Sequence, residues 1–428
     1  MKKIIPFFAV LLFSLRLSAG DTLKVMSYNL LNYGNITSYC TASNNSFVDK
    51  EKYLRRIINY VKPDIFAVCE LAGNSFIQKR LLDSALNGGI RPVFAKANYS
   101  NSAGSDIVVM LYYNAVKLSL AGQYVLNTQV RDIVLYRLYY RDPNLSQTHD
   151  TAFVNCIVAH LKAGSTTSDA NTRKAMVNNA MLWLSQHGGA GNYLFMGDLN
   201  VKRSSEQAYQ LLVNNSNSAI RFYDPINKPG NWNNSSSFAP QHTQSTHTSS
   251  NGCASGGGLD DRFDFILASN DIINGTKHVK YIPGSYAVVG NDGAHFNQAI
   301  NSGNNGSAPA SVINDLYHMS DHLPVVLLLQ TDKQGAGIQA SVNPYNLKIR
   351  TVNPVYDKLT LSIDILKPSS AQIEIISLAG QKLISMKRAL PQGNTSLKID
   401  MSTFGSGLYF LRVKDESGYV VSRKIVKL

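Results

Sequence analysis

The chain sets oxygen-bearing and imidazole side chains at the ends of short apolar runs. Asn29 closes LKVMSYN, Glu70 closes DIFAVCE, His160 closes NCIVAH, and Asp198 and Asn200 close YLFMGDLN. Asp264 lies inside RFDFIL, and Asp321 precedes His322 in MSDHLPV. Carboxylate and amide oxygens suit a hard cation such as Mg2+, which prefers oxygen ligands. A histidine beside a carboxylate suits proton transfer near neutral pH. Together these groups fit hydrolysis of a phosphodiester, which needs positive charge against the phosphoryl oxygens, a base for water and help for the departing oxygen. Taken singly, most have a plain structural explanation. Asn29 could be a turn residue, Asp198 a turn or helix cap, and His160 a satisfied core histidine. Asp264 is harder to explain, because a carboxylate between Phe263 and Phe265 is costly to bury without a partner. The separate explanations do not supply the ordered set.

The elements that must position these residues alternate along the chain to about Gln330. Runs such as SDIVVMLYY, AFVNCIVAHL and LPVVLLLQ read as strands buried on both faces, since they show no polar alternation. KEKYLRRIINYVKP and NTRKAMVNNAMLWLSQHGG carry apolar residues at helical spacing and end in Pro or Gly. This is an α/β pattern. Residues 231–258 and 290–310 are rich in Asn, Ser and Gly and are expected to be long surface loops around the active face. After a linker over 331–345, residues 346–428 change to short alternating strands punctuated by Pro, Gly and Asn, as in a small all-β sandwich.

The first residues, MKKIIPFFAVLLFSLRLSAG, have a basic start, an apolar stretch and a small-residue exit, so 1–20 is expected to be a secretory signal peptide. The apolar stretch is shorter than the roughly 20 residues that a bilayer needs, and Arg16 interrupts it. No later stretch is long and apolar enough to span, so no membrane-spanning segment is expected in the mature chain. The net charge of +13 invites a nucleic-acid reading, but residues 21–330 carry only +3 of it and residues 331–428 carry +7. The charge therefore does not by itself argue for DNA. Cys69 and Cys156 lie in apolar runs and read as buried thiols. Cys40 and Cys253 lie in polar loops, where a bridge and two free thiols are both open.

The ordered motifs SYNL, the acidic residue after PDIFAVC, HLKAG, GDLN, DRFDFIL and SDHLPV resemble the endonuclease/exonuclease/phosphatase superfamily, which includes deoxyribonuclease I. The resemblance covers residues 23–330. It implies a four-layer α/β sandwich, with two mostly antiparallel sheets packed face to face, helices outside, and the active site at one edge. It further implies that Glu70 leads a Mg2+ site, which Mn2+ could also fill, with Asn29 and Asp321 near it. His322 is the expected base, oriented by Asp264. Asp198 would position the nucleophile or act as acid or base, Asn200 would bond a phosphate oxygen, and His160 would contact the phosphate and protonate the leaving oxygen. Arg173 is a weaker candidate for the phosphate, against an exposed helical arginine. Lys162 could face solvent, and Arg262, beside Asp261, could be a structural ion-pair partner.

In the C-terminal segment NPVYDKLTL, ISLAGQKL, FGSGLYFLRV and the closing KIVKL resemble the sorting domain of type IX secretion substrates. That implies export by the type IX machinery, with the cargo released or held at the cell surface. The expectation is a secreted, monomeric, Mg2+-dependent phosphodiester hydrolase, with an endonuclease on extracellular nucleic acid as the leading reading. The other readings are a lipid phosphodiesterase of sphingomyelinase type, a phosphomonoesterase, and a binding module that has lost catalysis. The polar loops lack the apolar hairpin a lipid enzyme would insert. RLYYRDP, Arg137–Pro143, is the one segment suited to stacking on single-stranded bases, and alternating strand side chains explain it equally well.

Overall fold

A computed structural model describes residues 20–89, 91–333, 345, 347–378, 380–416 and 420–428. The expected signal peptide, except Gly20, and most of the expected linker lie outside these residues. The chain divides into two compact units, Met1–Ala336 and Gly337–Leu428.

The strands of the first unit are Thr22–Tyr33 (β1), Ile65–Ala72 (β2), Phe94–Lys96 (β3), Ile107–Asn114 (β4), Leu118–Asn127 (β5), Ile133–Tyr140 (β6), Phe153–His160 (β7), Tyr193–Asp198 (β8), Phe222–Tyr223 (β9), Asp264–Ser269 (β10), Val279–Tyr281 (β11), Ala287–Val288 (β12) and Val325–Thr331 (β13). One sheet runs β11-β13-β1-β2-β4-β3, with β12 on β13, and the other runs β5-β6-β7-β8-β10-β9. The pairs β1/β2 and β7/β8 are parallel and the rest antiparallel. The helices are Phe47–Val61 (α1), Ser75–Arg80 (α2), Leu145–Thr148 (α3), Thr167–His187 (α4), Gln207–Val213 (α5), Asn270–Asn274 (α6) and Ala310–Met319 (α7).

The two sheets meet face to face: Val68 and Met110 of the first share a buried cluster with Cys156, Met196 and Ile266 of the second. Leu54 and Ile58 of α1 and Leu316 and Met319 of α7 join that cluster. On the second sheet's other face, Met176, Ala180 and Leu184 of α4 and Leu212 of α5 pack on Ile157, Phe195 and Phe265. This is the four-layer α/β sandwich that the sequence suggests. Both sheets are covered on both faces, which is why their strands read as unbroken apolar runs.

Local chemistry sets the helix ends. The Ser46 side chain accepts from Asp49 N at the start of α1, and Lys62 leaves the helix in the left-handed region (φ 54°) just before Pro63. Thr166 and Asp169 form a capping box on α4, which stops at Gly188. The expected polar surface loops are in part interior: Trp232, His242, Thr243, Thr246 and Ile300 are fully buried. Hydrogen bonds hold these loops down together with a few apolar anchors, Trp232 in one buried cluster and Ile300 in the other.

In the second unit, Lys348–Thr351 (β14), Lys358–Ile365 (β15), Ser369–Ser377 (β16), Lys382–Leu390 (β17), Gly393–Asp400 (β18), Gly407–Asp415 (β19) and Val420–Lys427 (β20) form two antiparallel sheets, β14-β15-β18 and β17-β16-β19-β20. Leu361, Ile373 and Leu411 lie in their common core.

Candidate active site

The site grows out of irregularities at one end of the paired strands. β1 and β2 lose register between Asn29 and Tyr33, and β2 and β4 lose it between Val68 and Leu71. Leu31 (φ 48°), Asn32 (47°) and Glu70 (58°) take the left-handed backbone there, which non-glycine residues adopt at a cost of about 1–3 kcal/mol each. The surroundings hold the strained turn in place. Lys50 Nζ donates to Leu30 O (2.9 Å) and Leu31 O (2.6 Å), Asn45 Nδ2 to Leu31 O (3.0 Å), and Asn32 N to Glu70 Oε2 (2.9 Å). The Glu70 carboxylate is thereby fixed at the mouth of the sheet.

Across the sandwich, His160 ends β7 and Asp198 ends β8, and the two are register partners. Gly197 lets these strands approach: a Cβ there would lie 1.9 Å from Ala159 O, and its φ is +131°. Asp264 begins β10 directly opposite Asp198. The side chains therefore converge on a cleft of ≈ 400 Å³ lined by Glu70, His160, Asp198, Asn200, Asp321 and His322, among others.

Asn29 is the hub. Its Nδ2 lies 2.9 Å from Glu70 Oε1, 3.1 Å from Asp198 Oδ2 and 3.4 Å from His322 Nε2. Its Oδ1 accepts from Leu31 N (2.9 Å). So arranged, Asn29 bridges carboxylates as a donor, and for its oxygen to meet a cation the amide would have to turn over.

His322 Nδ1 lies 2.7 Å from Asp264 Oδ2, the geometry in which Nδ1–H donates to the carboxylate. Thr243 Oγ1 accepts from the backbone N of Phe263 (3.1 Å) and of Asp264 (3.2 Å), fixing that end of β10. On its other side the His322 ring meets Gln244, whose Nε2 is 2.7 Å from His322 Nε2 and 3.2 Å from Asp321 Oδ2. Ser320 ties the dipeptide to β1, donating from Oγ to Asn29 O (2.7 Å) and accepting from His322 N (3.1 Å).

Burial disfavours a charged His322 ring, but Asp264, Asp198 and Asp321 outweigh it and hold its proton affinity well above the ordinary histidine value. The contact with Gln244 asks for the opposite, a bare Nε2. The carboxylates and Gln244 thus pull in opposite directions at Nε2, the nitrogen that a base would use. Burial pushes the Asp198 carboxyl up to about 7, with Asp264 and Glu70 adding to the effect and His322 opposing it. Asp198 and His322 thus share protons as a pair. His160 is pushed well below its ordinary value by burial, with Arg131 and His322 adding to the effect. It is neutral near pH 7, a poor source of a proton for a leaving group but a competent ligand.

The donor set fits a divalent cation. Asp321 Oδ1 is buried without a hydrogen-bond partner, an oxygen that a cation would satisfy. Ligand atoms of Glu70, His160 and Asp198 all lie within 4.8 Å of one another, His160 Nε2 being 3.8 Å from Glu70 Oε1 and 3.5 Å from Asp198 Oδ2. This second grouping differs from the expected Glu70, Asn29 and Asp321 set and shares only Glu70 with it.

Asn200 lines the cleft with φ 52°, its N donating to Asp198 Oδ1 (2.9 Å) and its Nδ2 to Leu161 O (3.3 Å). Arg173 is neither at the cleft nor exposed. It is buried and paired with Glu206, and it donates to Lys162 O (2.8 Å) and Gly164 O (2.9 Å), so it shapes the segment after His160. Its Nε and Nη1 donors are spent on protein oxygens, which corrects both expectations, a phosphate contact and an exposed helical arginine. Arg262 is the buried partner of Asp224 (2.8 and 3.0 Å). Lys162 pairs with Asp169 (3.1 Å). Sequence reasoning missed Gln244, Lys50 and Ser320. It also left open the Cys40–Cys253 pairing, which the structure bridges.

Among known proteins, residues 353–427 match the family model of the secretion system C-terminal sorting domain. No curated protein matches the chain. Solved structures similar to it include an endonuclease/exonuclease/phosphatase from Beutenbergia cavernae (14% identity, 94% of this chain and 99% of that one, TM-score 0.40). They also include D. rerio TDP2 complexed with single strand DNA product (12%, 72% and 99%, 0.45). A third is a mannosyl-6-phosphatase from Bacteroides thetaiotaomicron (14%, 72% and 99%, 0.43). The chain is thus similar in fold to solved structures that include an endonuclease/exonuclease/phosphatase, and its residues 353–427 match the sorting-domain family.

Proposed function

We propose that the first unit is a divalent-metal-dependent phosphodiester hydrolase, a nuclease acting outside the cell, and that the second unit directs its export by the type IX machinery. The observation that carries the enzymatic reading is the buried Asp264–His322 pair facing Asp198, with Glu70 and the partnerless Asp321 oxygen beside it. A structural core has no use for four converging carboxylates and two imidazoles. Mg2+ held by Glu70 and Asp321, with Mn2+ able to replace it, would supply positive charge against the phosphoryl oxygens.

His322, oriented through Nδ1, would take the proton of the attacking water at Nε2, the position that the Gln244 amide now occupies, in the form with a bare Nε2 that the charge of a bound cation would favour against the carboxylates. As the new P–O bond forms and the old one breaks, Asp198, still protonated near neutral pH, gives its proton to the leaving oxygen. Neutral His160 and Asn200 lie where a phosphate would be held, with Lys202 also lining the cleft. The C-terminal match to a sorting domain supports a substrate met outside the cell, and extracellular nucleic acid is the abundant phosphodiester there.

The full chain should be assayed on plasmid DNA, RNA, sphingomyelin and a phosphomonoester with Mg2+, Mn2+ or EDTA. Metal-dependent cleavage of a nucleic acid is expected. Turnover of sphingomyelin or the monoester alone would replace the nuclease reading, and turnover of none would remove it.

A further inference from the structure

A groove of ≈ 810 Å³, larger than the catalytic cleft of ≈ 400 Å³, lies on the outer face of the second sheet, lined by Tyr124, Arg137, Phe153, Trp183, His187 and Lys277 among others. It lies just beyond the C-terminal end of α4, the helix that covers the rest of this face. β8 begins with Tyr193 in the groove wall and ends with Asp198 in the cleft, so the two sites are separated by roughly 17 Å of strand at ~3.3 Å per residue.

Three features give the groove a chemical character. Its rings form a series: Tyr124 meets Trp183 at 5.4 Å, and Trp183 stacks on His187 at 4.7 Å. Arg137 lies 4.1 Å over the Phe153 ring and makes no hydrogen bond or ion pair among the described residues, so its guanidinium is free to bind. Finally, no lining residue is acidic, while Arg137, Lys277, His187 and His278 are basic, although His278 pairs with Asp150 (3.1 Å) and Asp332 (2.9 Å) and Lys277 Nζ donates to Ala190 O (2.6 Å), which leaves Arg137 as the available cation. A sugar site needs free amides and carboxylates for hydroxyl pairs. Here the amide nitrogens of Asn155 and Asn192 are spent on Asn192 O, Phe153 O and Lys277 O. Flat rings beside the Arg137 guanidinium instead match a ligand with flat rings and negative charge.

We propose that this groove is a second binding site for single-stranded nucleic acid, with bases stacked on Tyr124 and Trp183 and a phosphate on Arg137. It extends the nuclease reading above and rests on it only for its biological sense. A strand held there would add affinity for substrates long enough to reach both sites, and none for short ones.

Of the chain's two tryptophans, Trp232 is fully buried, so Trp183 reports on the groove. With the full chain in EDTA, an oligothymidylate should quench Trp183 fluorescence, and a labelled oligothymidylate should bind with an affinity that falls with salt. Arg137→Glu and Trp183→Ala, each checked by circular dichroism, should weaken binding by at least about tenfold, while His322→Ala leaves it unchanged. With Mg2+, turnover of a small chromogenic phosphodiester should be the same in Arg137→Glu as in the wild type, and KM for long single strands should rise. Absence of oligothymidylate binding, equal binding by both groove variants, or displacement by neutral oligosaccharides would overturn the proposal. A chain that binds oligothymidylate through the groove yet cleaves no phosphodiester would support the groove and remove the nuclease reading. Cleavage with unaltered binding in the groove variants would do the reverse.

Discussion

The side-chain amide of Gln244 lies 2.7 Å from Nε2 of His322, on the opposite side of the ring from the 2.7 Å contact between Nδ1 and Asp264. Both ring nitrogens are therefore held, one by a carboxylate and one by a group able to offer either a donor or an acceptor. Gln244 also touches Asp321 at 3.2 Å, so one residue couples the proposed base to a proposed metal ligand. Gln244→Ala should lower kcat by about 10- to 100-fold, the loss of roughly one strong hydrogen bond, with little change in KM. Steady-state kinetics with a small phosphodiester decides this. A KM effect alone would mean that Gln244 only binds substrate.

Asp264 is fully buried, and its Oδ2 has His322 as partner. Asp264→Asn keeps the shape but removes the charge that fixes the ring and favours its protonated form. A fall in kcat of about 10²- to 10⁴-fold is expected, with near-wild-type folding by circular dichroism. Activity within a few-fold of wild type would show that His322 is not the base.

Lys50 offers a stability measurement independent of turnover. Its ammonium is buried, and burial pushes it down to about 7 from an ordinary 10.5, although Asp321 and Glu70 pull the other way. Below pH 7 the folded chain carries a desolvated charge. Between about 7 and 10.5 the unfolded chain binds the proton and the folded chain does not, so stability rises with pH across that window, by a few kcal/mol at most. Thermal melts in EDTA should thus show wild type gaining on Lys50→Met as pH is raised through that window. A constant difference would mean that Lys50 titrates normally in the fold.

The Cys40–Cys253 bridge closes a separation of 213 residues and joins the loop before α1 to the loop that carries Gln244. From that loop Ser255 N also donates to Asp321 Oδ2 (2.9 Å), so the bridge steadies two contacts of the site. The double variant Cys40→Ser, Cys253→Ser should lose about 2–5 kcal/mol of stability and part of its activity. A reductant should reproduce the loss in wild type and leave the variant unchanged. Equal melting temperatures with and without reductant would show that the bridge does not contribute.

The layers of the fold were legible because each strand buried on both faces writes a continuous apolar run, and the two long helices, α1 and α4, end beside Pro63 and Gly188. The residues at the cleft were visible as polar interruptions: Asp264 between two phenylalanines, or Asp198 after YLFMG, stands out where a core residue belongs. Gln244 does not. It lies in a stretch of Gln, Ser, Thr and His whose composition suggests solvent, and only tertiary hydrogen bonds such as Thr243 O accepting from Leu323 N draw it inward. Lys50 reads as the polar side of an amphipathic helix, because nothing local shows that the β1 carbonyls wait above it. Arg173 was misjudged in both directions, since its partners Glu206 and the 162–164 carbonyls lie on separate segments. The direction in which Asn29 points its amide is likewise a property of the assembled carboxylates and not of SYNL.

The most direct measurement is turnover of a small chromogenic phosphodiester by the full chain, with Mg2+ or with EDTA, for wild type, Glu70→Gln and His322→Ala. The expected result is turnover that EDTA abolishes, that Glu70→Gln shifts to higher Mg2+ demand, and that His322→Ala lowers by about 10²- to 10⁴-fold while circular dichroism stays unchanged. Turnover that persists in EDTA, or a His322→Ala variant as fast as wild type, would contradict the metal-assisted role assigned to this site.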